Sequence, residues 1–348
     1  MNGKISSNFI QEFIQACARV RLTLDPGLLE QAYAVNPWFV PEFTNRRLDD
    51  TLCIPESDKA SMEALLHYQL DEASPRHIGI VAAGNIPLVC WHDFLCALAY
   101  IEQHPLECVL EIKLSRKDNI LLTAIVKALE HEMKPHAPVF RQIRFTSLLS
   151  PGVEAILFTG GTAAEAFYRK NFPSTPILAR TGRTSAGILR GGESAEELAG
   201  LARDCFLFFG LGCRNVSFLW VPRGYDFSPF AMEVERTAGP ALRSHQGYMN
   251  AFRHARAISL MEAGTGGEET ICESCFVLKK SGDMNPSVGV LHYMEYDHPE
   301  EIEEHLKANA DRIQCVSGTP EVPFGQAQTP GFTQFADRLN TIEWLQKL

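Results

Sequence analysis

The residues best suited to chemistry lie in Phe206-Leu-Phe-Phe-Gly-Leu-Gly-Cys-Arg-Asn-Val-Ser-Phe-Leu-Trp-Val221. An apolar run ends at Phe209, Gly210 and Gly212 loosen the backbone, Cys213 follows, and Ser217–Val221 reads as a buried strand. A thiol on a glycine-rich turn between a helix and a strand can be presented into a cleft with backbone N–H groups around it. Attack on a carbonyl or thioester needs that setting. Arg214 next door could favour the thiolate. The plainer alternative is that Cys213 is a small buried hydrophobe, as most free cysteines are.

Three further stretches bear on this one. Ile80-Val-Ala-Ala-Gly-Asn-Ile-Pro-Leu88 sets Asn85 in a strand-to-helix turn. Its amide can donate to a developing oxyanion, a contribution of about 10²–10³ in rate where such donors have been removed; a loop-capping Asn is the alternative. Phe158-Thr159-Gly160-Gly161-Thr162 also joins a strand to a helix, which suits a cofactor lying against a helix N-terminus or makes a plain tight turn. Lys113-Leu-Ser115-Arg116-Lys117 ends a strand with cations and a hydroxyl. It reads as a site for a ribose or its 2′-phosphate, or as a solvated basic loop. The pair Cys272 and Cys275 has no second pair or His cluster to complete a zinc site, so no metal is expected.

The elements that must position these residues follow from the pattern. Phe9, Ile10, Phe13, Ile14 and Cys17 recur at helical spacing and open a helical preamble over residues 1–75, broken around Pro37, Pro41 and Asn45 and resuming as a helix over Ser61–Leu70. From His77 strands and helices alternate. Strands are expected at His77–Ala82, Val109–Lys113, Ile143–Thr146, Ala155–Thr159 and Thr175–Ala179, with helices at Ile120–Met133 and Ala163–Phe172. Such alternation implies right-handed crossovers and a mostly parallel sheet, with ligands beyond the carboxyl ends of the strands, where Asn85, Lys113 and Gly160 fall. A second α/β segment begins near Gly182. It comprises strand Thr184–Leu189, helix Ser194–Phe209 with a Ser194/Glu197 capping box, strand Ser217–Val221, two helices to about Glu262, strands Thr270–Leu278 and Val288–Tyr293, and helix Pro299–Ala308. The tail Phe324–Pro330 is read as a loop before a last helix.

The chain has 348 residues, 45% of them hydrophobic and 21% charged, enough for two domains with cores of their own. A formal charge of −10 disfavours nucleic acid and anionic membranes as partners. No run reaches transmembrane length, and the N-terminus lacks the regions of a signal peptide. Ten cysteines then read as reduced, cytoplasmic thiols.

In this order the four stretches resemble the aldehyde dehydrogenase superfamily, and most closely its acyl-CoA reductase (LuxC-type) branch, which includes the reductase subunit of bacterial luminescence. The resemblance runs from about Ile78 to the C-terminus. Gly84-Asn85-Ile-Pro87 is similar to the family's Asn-X-Pro oxyanion motif, and Lys113-Leu-Ser115 to its Lys-Pro-Ser ribose motif, with Leu114 where proline is usual. Phe158-Thr-Gly-Gly-Thr162 is similar to Phe-Thr-Gly-Ser-Thr beside the nicotinamide and pyrophosphate, and Gly210-Leu-Gly-Cys213 to the Gly-Gln-X-Cys of the catalytic thiol. Two departures stand out. Ala179 occupies the place of the glutamate that activates water in hydrolytic members. The Glu-X-Phe-Gly-Pro motif, whose Glu holds a nicotinamide ribose, is not clear; Asn285–Gly289 and Glu273–Phe276 both lie near its place.

The resemblance implies an α/β, aldehyde-dehydrogenase-like fold of two domains. The first is a Rossmann-like cofactor domain over 1–180, rejoined by 324–348; the second is a catalytic thiol domain over 181–323, with the active site between them. It implies Cys213 as nucleophile, Asn85 as oxyanion donor, and cofactor contacts from Lys113, Ser115, Arg116, Thr159, Gly160, Gly161 and Thr162. The reaction expected is reduction of a fatty acyl-CoA, or another acyl thioester, to aldehyde through an acyl-cysteine. NADPH is the expected cofactor, or NADH, with Arg116 and Lys117 favouring the former; coenzyme A enters with the substrate. An acyl-activating synthetase and a second copy in a homodimer are the partners implied. The alternatives are aldehyde oxidation, which Ala179 disfavours, and a non-turnover acyl-CoA-binding or scaffold protein.

Overall fold

The computed structural model describes residues 7–66, 74–102, 106–264, 266 and 269–348. Residues 67–70 of the expected Ser61–Leu70 helix, and the first six residues, lie outside these. The chain divides into two compact units, residues 1–181 with 331–348, and 182–330.

The first unit opens with α1 (Ser7–Thr23), α2 (Gly27–Val35), α3 (Pro41–Leu52) and α4 (Lys59–Leu66). Phe9, Ile10, Phe13, Ile14 and Cys17 are all buried, as an apolar stripe at helical spacing requires. Pro41, expected to break the chain, instead starts α3 from a position where its missing N–H costs nothing. Then come β1 (His77–Val81), α5 (Trp91–Glu102), β2 (Val109–Lys113), α6 (Leu121–Glu132), α7 (Ala137–Arg141), β3 (Ile143–Thr146), β4 (Ala155–Thr159), α8 (Thr162–Asn171) and β5 (Ile177–Arg180). The five strands form a parallel sheet in the order β3-β2-β1-β4-β5. Helix α5 is apolar almost all round and is buried accordingly, whereas α6 buries only Leu121, Leu122, Ile125, Val126 and Leu129.

The second unit contains β6 (Thr184–Ile188), α9 (Ala195–Phe206), β7 (Val216–Pro222), α10 (Ser228–Thr237), α11 (Gly239–Ser244), α12 (Gln246–Gly264), β8 (Thr270–Cys272), β9 (Val277–Lys280), β10 (Val290–Tyr296), α13 (Pro299–Ala308) and β11 (Ile313–Ser317). Its six strands run β11-β6-β7-β10-β9-β8, parallel except for the β8–β9 hairpin at one edge. The last helix, α14 (Thr341–Gln346), belongs to the first unit.

Four expectations are corrected here. The Ser194 helix, with its reciprocal Ser194–Glu197 capping box, ends at Phe206 rather than Phe209, because Phe208 and Phe209 take left-handed conformations. Three helices, not two, span 228–264, since Gly239-Pro240 restarts the chain after α10. The single strand expected over Thr270–Leu278 is a hairpin turning at Glu273–Phe276, where Glu273 N–H donates to the Phe276 carbonyl at 2.9 Å. Strand β11 was not expected; Gln314 and Ser317 interrupt its apolar pattern yet are buried. Among the described residues no helix is long and apolar enough to cross a membrane.

Candidate active site

In the first unit, strand order reverses between β1 and β4, and the loops leaving β1, β2 and β4 gather at the carboxyl edge of the sheet. A parallel sheet binds its ligands at such a reversal. The loops are the Asn85, Lys113–Lys117 and Thr159–Thr162 stretches.

The Asn85 turn is built by close approach. Ala82 N–H donates to the Lys113 carbonyl at 3.0 Å, carrying the β1–β2 ladder one step past the strands. A Cβ on Gly84 would lie 2.7 Å from Ser115 Oγ, so only glycine lets the two loops pack. Asn85 itself is exposed. Behind it Leu88 is buried in a left-handed conformation at φ 52°, strained for a branched residue. Three side chains hold the turn. Asn36 Nδ2 donates to the Gly84 carbonyl at 3.2 Å, and Arg47 donates to the Pro87 and Leu88 carbonyls at 3.3 and 3.4 Å. The buried Asp118 accepts from Leu88 N–H at 2.9 Å. Burial pushes the Asp118 carboxyl up to about 7, opposed by the Leu88 hydrogen bond and the Arg47 charge.

Of the expected cofactor contacts, Lys113 and Ser115 are half-buried and Arg116 is exposed. Ser115 Oγ accepts from Lys117 N–H at 3.2 Å, shaping the loop. Thr159 is half-buried with its hydroxyl 3.5 Å from Asp93. Gly161 caps α8, and a Cβ there would meet nothing within 4 Å. Gly161 and Thr162 are exposed at that helix start. The open space and the helix N-terminus fit a dinucleotide pyrophosphate, which is drawn to such N–H groups. The buried Asp93 and the half-buried Arg180 form an ion pair of 2.5 Å, and Arg180 also donates to Thr341 Oγ1 at 2.9 Å. Ala179, one residue earlier on β5, supplies no acid or base.

In the second unit, Cys213 sits exposed in a turn closed by Asn215 N–H donating to the Gly212 carbonyl at 3.0 Å. Two aromatic residues in succession, Phe208 at φ 54° and Phe209 at φ 60°, then Gly210 at φ 73°, reverse the chain after α9. Both rings are buried, and Phe209 packs on His245 with centroids 4.3 Å apart. Asn215, buried, ties the turn to the helix. Its Oδ1 accepts from Gly212 N–H at 2.8 Å, while its Nδ2 faces the carbonyls of Asp204, Cys205 and Leu207 at 3.0, 3.3 and 2.8 Å. A helix leaves its last carbonyls unsatisfied, and the two N–H bonds of one amide are shared among three carbonyls at and just past this helix end. Ser185 Oγ on β6 donates to the Cys213 carbonyl at 2.9 Å. Asp204 accepts from Gly325 N–H at 2.8 Å and Ala327 N–H at 3.0 Å, fastening the following loop against α9.

Burial separates Cys213 from most of the other thiols. Seven cysteines (17, 90, 96, 108, 205, 275 and 315) are buried and have their pKa values raised by desolvation, so they are poor nucleophiles. Cys53 is also exposed, at the end of α3, and Cys272 is half-buried on an edge strand. Arg214 Nε donates to the Ala327 carbonyl, so the guanidinium fastens the 325–327 loop. Among the described residues no group of His, Cys, Asp or Glu is arranged to hold a metal ion. Of the two stretches read for the ribose glutamate, Glu273–Phe276 forms the β8–β9 turn and Asn285–Gly289 precedes β10.

Sequence reasoning missed Asn36, Arg47, Asp118, Asn215, Asp93 and Arg180. One of these was findable: Asp93 is the only carboxylate among the apolar residues 91–101, and a buried charge needs a partner.

No protein-family model matches the chain, and no curated protein sequence does. Solved structures do. An aldehyde dehydrogenase from Bacillus cereus in its NAD+ complex is 14% identical, with a TM-score of 0.59, over 89% of this chain and 70% of that one. An NAD-dependent aldehyde dehydrogenase from Sinorhizobium meliloti is 13% identical, with a TM-score of 0.58, over 93% and 78%. Aldehyde dehydrogenase C from Pseudomonas syringae is 12% identical, with a TM-score of 0.57, over 93% and 80%. The two sheets, their order and these likenesses together give the chain an aldehyde dehydrogenase fold.

Proposed function

We propose that the chain reduces an acyl-CoA thioester to an aldehyde through an acyl intermediate on Cys213. The observation that carries the reading is an exposed thiol on a turn that Asn215, Ser185 and two buried aromatic rings hold in one conformation. A nucleophile needs that combination of access and fixed position. The Pseudomonas syringae protein of the same fold was captured as a cysteine-to-alanine variant with NAD+ and octanal, a pairing consistent with a thiol, a nicotinamide and an alkyl aldehyde.

In this reading Cys213 thiolate adds to the thioester carbonyl, the carbon–sulfur bond to coenzyme A breaks, and CoA leaves as a thiolate that takes up a proton. Asn85 Nδ2 donates to the oxyanion as each tetrahedral species forms, with the Cys213 N–H as its second donor. Lys113, Ser115, Arg116 and the Thr159–Thr162 turn hold the nicotinamide cofactor. When bound, it supplies the hydride for the acyl carbon. Collapse of the reduced adduct releases aldehyde and returns Cys213 as thiolate. Ala179 puts no base beside the thioester, so water is not activated there and exchange with CoA is favoured over hydrolysis. Arg116, exposed at the end of the β2 loop, favours NADPH through its affinity for a 2′-phosphate.

Aldehyde oxidation is the second reading, since two neighbours of this fold, from Pseudomonas syringae and Bacillus cereus, are NAD+ complexes of aldehyde dehydrogenases. One experiment separates the two. Incubation with a long-chain acyl-CoA should leave an acyl adduct on the Cys213 peptide by intact-mass and peptide mapping, and NADPH should discharge it as aldehyde. An adduct equally present in Cys213→Ala, or none at all, overturns the thioester reading. Acid formed from aldehyde and NAD+, without any adduct from acyl-CoA, would favour oxidation.

A further inference from the structure

We infer that Asp118 and Arg47 are positioning residues for Asn85, so that helix α3 and the loop after β2 jointly set where the Asn85 amide donates. The inference rests on the role proposed above for Asn85.

The turn Gly84-Asn85-Ile-Pro87 has no regular structure to hold it, and it ends on Leu88 in a left-handed conformation that strains a branched residue. Such a conformation persists only where its surroundings over-determine it. Leu88 meets that condition on both sides of its peptide plane. Its N–H is taken by Asp118 Oδ2 at 2.9 Å. Its carbonyl accepts from Trp91 N–H at 3.0 Å and from Arg47 Nη2 at 3.4 Å. Arg47 Nε adds a bond to the Pro87 carbonyl at 3.3 Å, and Asn36 holds the Gly84 carbonyl at the turn's other end. Every residue from Gly84 to Leu88 except Asn85 is buried, so the fastened turn presents that one side chain outward.

Asp118 is an expensive way to accept one hydrogen bond. It is buried, its Oδ1 has no hydrogen-bond partner, and burial drives its carboxyl up to about 7. A buried polar atom left unsatisfied calls for an explanation. Fixing the turn supplies one, because displacement of a reacting group by an ångström can cost about 10²-fold in rate. The same contacts give the N-terminal helices, which carry no chemistry of their own, a place in the proposed reaction.

The test is a double-mutant cycle in the full chain, read by kcat and KM for a long-chain acyl-CoA with NADPH and by amide hydrogen exchange of the peptide containing Leu88. Asp118→Ala should lower kcat about 10- to 100-fold with KM changed less than about 3-fold, and should speed exchange at Leu88. Asp118→Asn keeps an acceptor oxygen and should restore most of both. In an Asn85→Ala background, Asp118→Ala should have less than about 3-fold further effect, because the group it positions is gone. Arg47→Met retains the aliphatic stem and should repeat the pattern should Asp118→Ala fail to fold. A full multiplicative loss on top of Asn85→Ala, or unchanged exchange at Leu88, overturns the inference alone. An unchanged rate in Asn85→Ala itself overturns the role of Asn85, and the inference with it.

Discussion

The two turns that present Asn85 and Cys213 solve the same mechanical problem in opposite ways. Each reverses the chain through buried apolar residues in left-handed conformations, Leu88 in one and Phe208 with Phe209 in the other. The Asn85 turn is held from far along the chain, by Asn36, Arg47 and Asp118. The Cys213 turn is held mostly by its own neighbourhood: Asn215 bonds Gly212 and the carbonyls that end α9. The first uses charges, which burial makes costly; the second uses a neutral amide that gives and accepts without titrating. A turn held locally forms with its helix, whereas one held from a distance depends on the packing of α2 and α3.

The proposed division of labour between the two turns is the first thing to break. Cys213→Ala should remove the acyl adduct altogether and lower turnover by about 10⁴-fold or more, as loss of a nucleophile does. Asn85→Ala should still form an adduct and lose about 10²–10³ in rate, the scale of one oxyanion donor. Stopped-flow release of CoA checks both. Equal losses would mean that Asn85 shapes the fold instead of stabilising charge.

The same contrast explains what was legible in the sequence. Strand–turn–helix alternation and the apolar stripe of α1 depend on periodicity, which a chain carries locally, so the parallel sheet and most helices could be read directly. Cys213 stood out because Gly210 and Gly212 precede it. The C-terminal end of α9 was not legible: Phe206–Phe209 is an unbroken apolar run, and only the packing of Phe209 on His245 and the capping by Asn215 stop the helix. Strand β11 was hidden because Gln314 and Ser317 are buried polar residues, with Ser317 bonded to Asp204 at 2.6 Å. The direction of Arg214 was not legible because its Nε is bound by Ala327, a residue far off in sequence. Asp118 could not be told from a solvated loop acid, since nothing in Arg116-Lys-Asp118 signals burial.

Removing the local clamp should cost stability more than activity alone would suggest. Asn215→Ala strands carbonyls at the end of α9 and frees a strained pair of aromatic residues, for a loss of about 2–3 kcal/mol. Urea denaturation of the full chain measures it. A loss below about 0.5 kcal/mol, within the range of ordinary surface substitutions, would show that aromatic packing suffices to hold the Cys213 turn.

The last expected effect is a slope, and it belongs to one turn only. Asp118 has its folded pKa raised from 3.8 to about 7 by burial. Between those values the folded chain binds more protons than the unfolded one, so its contribution to stability falls as pH rises and is lowest above about 7. The Leu88 N–H and the charge of Arg47, from α3, oppose the shift, and Asp118 in turn helps to raise the neighbouring Cys90 thiol. Asp118→Asn cannot titrate. The stability of the original chain relative to this variant should therefore decline by at most about 1.4 kcal/mol per pH unit across that window, and level off beyond it. Asn215→Asp should import the same behaviour into the Cys213 turn, because a carboxylate there would face the carbonyls of Asp204, Cys205 and Leu207 with nothing to donate. It should be tolerated at low pH, where a protonated carboxyl can donate to one of them, and fail as pH rises. A flat difference at residue 118 would mean that Leu88 N–H and Arg47 fully offset the burial of the charge. The contrast between a titrating clamp and a neutral one would then disappear.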